Sequence, residues 1–173
     1  MKNLDDLTIV ILTFQTPDEI ILNCLRSIDK NVKIIIVENS KTFLHEKIIS
    51  LEFPNVKIIC TGKNLGYGGG NNVGFKKINT KFVLALSPDT ICDKNFFENI
   101  KSYLKDNLEF SLIGVSYYQN EPFPTYGYFN KSKKKETLID SLIDVDWIAG
   151  CAMLINLDKY KNKTVFDENI FIY

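Results

Sequence analysis

Apolar and polar positions alternate along the chain in blocks that read as strands and helices in turn. Leu7–Phe14 is apolar and β-branched and is closed by Gln15-Thr16-Pro17-Asp18, which predicts a buried strand. Thr16-Pro17-Asp18-Glu19 then has the form of a helix start, with a capping Thr, a Pro in the first turn and a Glu three residues on. Ile20, Ile21, Cys24, Leu25 and Ile28 follow on one face of that helix. Val32–Val37 predicts a second strand, Thr42–Leu51 a helix and Val56–Thr61 a third strand. Glycines 62, 66, 68, 69 and 70 predict a loop over Gly62–Gly70, after which Asn71–Ile78 resumes as a helix. Lys81–Leu86 predicts a fourth strand, Asp93–Leu104 a helix and Phe110–Val115 a fifth strand.

Strands separated by helices predict βαβ units and a mainly parallel, Rossmann-like sheet with helices on both faces. After Val115 the pattern changes. Ser116–Asn130 is rich in Tyr, Phe and Pro, Lys131–Lys135 is a charge run that predicts a solvated loop, and Asp144–Asn156 is a further apolar segment with the only Trp. The chain thus divides into an α/β half, 1–115, and a segment, 116–173, continuous with the same domain. The sequence stops in the apolar Phe171-Ile172-Tyr173, which predicts a fragment or a shortened chain with an apolar edge open to self-association.

Charge removes several functions. With 21 basic and 21 acidic side chains the net charge is zero, and only one of the basic residues, Arg26, has the forked guanidinium that reads phosphates and base edges. Nucleic acid is therefore not an expected partner. The four cysteines make no CxxC pair, and a lone His45 cannot build a histidine metal site or a nucleophile–His–acid triad; a surface or capping role is expected for it. No apolar run approaches the roughly 18 residues of a spanning helix, and no secretory signal precedes the first strand. The expected location is cytoplasmic, or peripheral to the inner face of the membrane.

In an open parallel sheet, ligands bind beyond the carboxyl ends of the strands. That rule selects Thr13–Gln15, Glu38–Ser40, Gly62–Asn72 and Ser87–Thr90. A strand-end Glu suits a base or ribose. Glycine backbone can approach a pyrophosphate closely, and a helix start at Gly70–Asn72 favours anions. An Asp on a tight turn can hold a divalent cation through oxygen. A dinucleotide fingerprint is not met, because the glycines follow the third strand and lack the G-x-G-x-x-G spacing; a P-loop is excluded because no Gly-Lys-Ser/Thr follows.

Several runs, taken in order, resemble the family 2 glycosyltransferases, in particular the rhamnosyltransferase-like branch. They are Thr13-Phe14, Val37-Glu38-Asn39-Ser40, the run Asn64-Leu65-Gly66-Tyr67-Gly68-Gly69-Gly70-Asn71-Asn72, Ser87-Pro88-Asp89-Thr90, Trp147–Leu154 and Phe166-Asp167-Glu168. The resemblance implies a GT-A fold with an incomplete acceptor part. It also implies a UDP- or dTDP-sugar donor, a glycan or lipid-linked acceptor, and a divalent metal, Mg²⁺ or Mn²⁺. By matching position, Thr13, Phe14, Gln15, Glu38, Asn39, Asn64, Gly66, Gly70, Asn71 and Asn72 surround the nucleotide. Asp89 matches the metal-binding acid, and Trp147 and Gly150 line the cleft for donor sugar and acceptor. Two departures stand out. Ser87 replaces the branch's usual Asn or Asp, and the acidic motif that carries the family's catalytic base would lie beyond Tyr173. The expectations are therefore an inverting glycosyltransferase whose base is not in this stretch, or a nucleotide-sugar-binding remnant without turnover.

Overall fold

The computed structural model describes residues 4–105, 109–115, 126–129 and 143–171. Its centre is a six-stranded sheet of β1 (Leu7–Thr13), β2 (Lys33–Glu38), β3 (Lys57–Cys60), β4 (Phe82–Leu86), β5 (Leu112–Gly114) and β8 (Ala152–Asn156), in the order β3-β2-β1-β4-β8-β5. The first four strands in chain order run parallel, with Thr13 opposite Glu38 at the exits of β1 and β2. The mainly parallel α/β sheet predicted from the sequence is present.

Alternation along the strands divides the core in two. Ile9, Ile11, Ile34, Ile36, Leu84 and Leu86 face one side, packed with Ile21 and Leu25 of α1 (Asp18–Arg26), Ile49 of α2 (Glu46–Glu52) and Phe97 and Ile100 of α4 (Phe96–Lys105). Val10, Ile35, Val37, Val83 and Ala85 face the other, packed with Phe75 of α3 (Gly66–Phe75). Because β1 and β4 are covered on both faces, they read as continuous apolar runs rather than as alternation.

The apolar Asp144–Asn156 segment holds two strands. Trp147–Ile148 (β7) pairs with Tyr126–Gly127 (β6), the chain turns at Ala149–Cys151, and β8 then enters the main sheet antiparallel between β4 and β5. An apolar run of this length carries no sign of its turn or its strand order.

The glycine run is the main correction. The predicted loop over Gly62–Gly70 ends at Leu65, and α3 begins at Gly66. Glycine disfavours a helix interior by about 1 kcal/mol relative to Ala, which hides the start of this helix, Gly66–Gly70, from a propensity reading that finds only its second half. Close packing on the sheet favours it instead. A Cβ on Gly74 would sit 2.6 Å from Val10 Cγ1 and 2.9 Å from Val37 Cγ2, so α3 lies nearer the sheet than any larger residue permits. Gly74→Ala is expected to destabilise the fold by about 1–3 kcal/mol through overpacking, read as a lower denaturant midpoint.

The helix starts also differ from expectation. Thr16 does not cap α1. Pro17 is the N-cap residue, and Thr16 Oγ1 accepts from the Phe14 amide at 3.4 Å. Helix α2 starts only at Glu46, because Phe43 turns inward to the core; His45 precedes the helix, makes no side-chain cap bond, and sets its ring edge-on to Phe43. Asp93 lies ahead of α4 in an Asx turn, its carboxylate accepting from the Asn95 amide at 2.9 Å.

Candidate functional site

A cavity of about 670 Å³ opens beyond the carboxyl ends of the parallel strands. Leu12, Thr13 and Phe14 form one wall, Asn39, Asn64, Gly66 and Tyr67 a second, and Ile148, Gly150 and Met153 a third; Phe166 and Phe171 close it from the C-terminal segment. Six residues expected at the nucleotide or the sugar cleft, Thr13, Phe14, Asn39, Asn64, Gly66 and Gly150, line this one space.

Glu38 sits behind the wall rather than in it, with 2% of its surface exposed. Its Oε2 accepts from Thr13 Oγ1 at 2.7 Å and its Oε1 from the Gln15 amide at 3.3 Å. Gln15 has a φ of 52°, a left-handed conformation that an unbranched polar residue keeps only when its surroundings fix it. The buried carboxylate therefore shapes the exit of β1.

Asn39 joins the exit of β2 to the start of α3. Its Nδ2 donates to Asn64 Oδ1 at 2.9 Å and to the Gly66 carbonyl at 3.0 Å, while its Oδ1 accepts from the Leu65 amide at 3.0 Å and from Thr61 Oγ1 at 3.2 Å. Asn64 Oδ1 also accepts from the Gly66 amide at 2.9 Å, satisfying one donor at the helix start. Gly66 has a φ of +74°, and a Cβ there would lie 2.5 Å from the Phe171 carbonyl oxygen. Tyr67 spans the cavity edge, its hydroxyl donating to the Gly150 carbonyl at 2.5 Å.

Other expected residues lie elsewhere. Gly70 is buried under Leu12 and Asn39, where its missing side chain serves helix–sheet packing. Asn71 is buried and bonds the Tyr67 carbonyl of its own helix at 3.0 Å; Asn72 is buried and turned towards residues 165–168. Gln15 is exposed outside the lining. Trp147 lays its ring across the Gly127 backbone of β6. Tyr67, inside the glycine run, and Ile148, between Trp147 and Gly150, line the space together with the six expected residues. Among the described residues the sequence reading missed Leu12, Met153, Phe166 and Phe171 as lining; Met153 and Phe166 fall within the motif runs, but an apolar residue there reads equally well as core.

Asp89 is exposed on the turn after β4, closed by the Thr90 amide on the Ser87 carbonyl at 3.2 Å. The Ser87 amide donates to the Cys151 carbonyl at 2.8 Å, which ties this turn to the turn between β7 and β8. No group of three His, Cys, Asp or Glu side chains among the described residues could hold a metal. Asp89 fits one ligand of a hard cation, and the rest of the six or more oxygens must come from elsewhere.

Beneath the same turn, Cys24 Sγ lies 3.8 Å from the Ser87 carbonyl oxygen. Burial first, and then Cys92 and Asp89, push its thiol up to about 12. At pH 8 its reactive thiolate is then a fraction on the order of 10⁻⁴. Alkylation of the native protein is expected to modify exposed Cys60 first and Cys24 last, read by peptide mass spectrometry. Equal rates at both would contradict the packing of α1 under the β4 exit.

The sequence profile described as "Glycosyl transferase family 2" matches residues 8–161. The chain is 27% identical over 188 aligned positions to the low-salt glycan biosynthesis hexosyltransferase Agl10 of Haloferax volcanii, covering 98% of this chain and 59% of that protein. It is 24% identical over 180 positions to the rhamnosyltransferase WbbL of Escherichia coli K12, covering 88% of this chain and 66% of that protein. The chain thus spans about three fifths to two thirds of the length of these relatives. Among solved structures, TarS 1-349 of S. aureus in complex with UDP superposes with a TM-score of 0.66 at 16% identity, over 95% of this chain and 51% of that one.

Proposed function

Because the chain belongs to glycosyl transferase family 2, we propose that it carries the donor half of a glycosyltransferase and binds the nucleoside diphosphate of a UDP- or dTDP-sugar in the 670 Å³ cavity. The observation that carries this reading is the meeting of Thr13 and Phe14, Asn39, and Asn64-Gly66-Tyr67 in one space beyond the carboxyl ends of β1 and β2. That is where an open parallel sheet places a nucleotide. Phe14, Tyr67 and Phe166 supply apolar faces for a base, and the first-turn amides of α3 attract a diphosphate.

The reaction we infer is inverting transfer of a hexosyl group to a glycan or lipid-linked acceptor, in bacterial surface polysaccharide synthesis. The acceptor hydroxyl attacks the anomeric carbon opposite the departing diphosphate, which needs a base at the hydroxyl and a cation at the leaving group. Asp89 supplies one oxygen ligand to Mg²⁺ or Mn²⁺, and the diphosphate supplies others. None of the described residues lining the cavity is a carboxylate, so no like charge among them opposes a diphosphate there. No described helix is long and apolar enough to cross a membrane. A cytoplasmic site of action, peripheral to the membrane where the acceptor is lipid-linked, suits this chemistry.

Calorimetric titration with UDP, dTDP and ADP, each with and without Mg²⁺, tests the reading. UDP or dTDP is expected to bind at least about tenfold more tightly than ADP, a difference of about 1.4 kcal/mol. Mg²⁺ is expected to strengthen binding in the wild type and not in Asp89→Ala. Equal affinity for ADP would contradict the nucleotide assignment, and a metal effect that survives Asp89→Ala would remove Asp89 from the site.

A further inference from the structure

The wall made by Phe166 and Phe171 belongs to no described strand or helix, yet it is fixed in place. Its main tether is a single side chain. Asn72 on α3 has no exposed surface. Its Oδ1 accepts from the amides of Val165 at 3.1 Å and Phe166 at 3.2 Å, and its Nδ2 donates to the Phe166 carbonyl at 2.8 Å and to Glu168 Oε1 at 3.1 Å. Two donors and two lone pairs are the full capacity of an amide, and all four are spent on residues 165–168. By engaging both the N–H and the C=O of Phe166, the side chain does for this segment what a neighbouring strand would do.

One helical turn further, Lys76 Nζ meets the same Glu168 oxygen at 2.8 Å. The clamp sets the Phe166 ring edge-on to Tyr67, with centroids 5.5 Å apart, and tilted against Phe75 at 6.1 Å. Phe171, five residues on from Phe166, then passes against Gly66 so closely that only glycine fits. Adjacent Asn71 shows the contrast: its side-chain amide bonds the Tyr67 carbonyl within α3.

We propose that Asn72 is a positioning residue for nucleotide binding: without lining the cavity, it docks residues 165–168 so that Phe166 and Phe171 form the cavity wall against Tyr67 and Gly66. The proposal rests on the reading of this cavity as the nucleotide site. It replaces the expectation, drawn from sequence position, that Asn72 lies beside the nucleotide.

Three variants separate the steps. Asn72→Asp keeps the size and both acceptor bonds but puts an oxygen where Nδ2 donates to Phe166 and Glu168. Phe166→Leu keeps every bond of the clamp and removes the ring against Tyr67. Lys76→Ala removes only the exposed ion pair. Hydrogen exchange at the Val165 and Phe166 amides and UDP affinity are measured for each, with thermal midpoints as a check on folding. Asn72→Asp is expected to speed exchange at Val165 and Phe166 and to weaken UDP by about tenfold or more, the scale of one lost buried hydrogen bond. Phe166→Leu is expected to weaken UDP with exchange at those amides unchanged, and Lys76→Ala to leave UDP affinity within about twofold, as for an exposed pair. If a folded Asn72→Asp binds UDP as wild type does, the proposal is overturned, whatever Phe166→Leu does. If Asn72→Asp does not fold, Asn72→Ser, which removes both Nδ2 donors without adding a charge, takes its place in the same two measurements with the same expected and contradicting results. A wild-type chain that binds no UDP overturns the cavity assignment and the effect on affinity with it, while protected Val165 and Phe166 amides would still show the clamp as a separate fact.

Discussion

Glu38→Ala is expected to lower stability by about 1–3 kcal/mol and to weaken UDP binding by about tenfold. The carboxylate is buried and holds Thr13 Oγ1 and the Gln15 amide. Removing it leaves a hydroxyl and an N–H without their acceptor and frees Gln15 from its left-handed conformation. Thr13 and Phe14, which line the cavity, are the residues that then shift. Glu38→Gln is expected to be milder, because one oxygen still accepts and Thr13 can turn its hydroxyl to accept from the new amide. Denaturant curves and calorimetry on both variants check this. Unchanged UDP affinity in Glu38→Ala, with the predicted loss of stability, would limit Glu38 to a role in folding.

A larger effect is expected at Gly66. Its φ of +74° is strained for any residue with a side chain, and a Cβ there would lie 2.5 Å from the Phe171 carbonyl oxygen. Gly66→Ala is therefore expected to push the start of α3 and the Phe171 backbone apart and to weaken UDP binding by about ten- to a hundredfold, the scale of one strained backbone position and a broken cavity wall. Calorimetry with UDP, alongside a thermal midpoint, is the check. Wild-type affinity in a folded Gly66→Ala would contradict the placing of the Phe171 wall against α3.

The parts of the site that sequence reveals are those fixed by local rules. Thr13 and Asn39 end or follow the apolar runs of the buried strands β1 and β2, Asn64 follows the short edge strand β3, and the polar residue at such an exit faces the ligand edge. The start of α3 is not legible, because its glycines oppose helix locally and are favoured by contacts distant in the chain, Gly66 with Phe171 and Gly70 with Leu12. The same limit hides β8, whose place between β4 and β5 depends on the turn at Ala149–Cys151. Glu38 illustrates a subtler miss. Its position at the strand end is legible, but its two bonds point back to β1. Asn72 differs again: sequence places it next to the glycine run, and only the fold shows that it reaches across more than ninety residues to the segment at Phe166.

The most direct test of the account is the map of amide chemical-shift changes on titrating UDP into the isotopically labelled chain. The account predicts saturable changes centred on Thr13, Asn39, Gly66, Tyr67 and Gly150, the lining of the 670 Å³ cavity, together with Phe166 and Phe171. Changes centred instead on a smaller cavity near the amino ends of β2 and β3, around Ile28, Val32 and Phe53, or no saturable change at all, would contradict it.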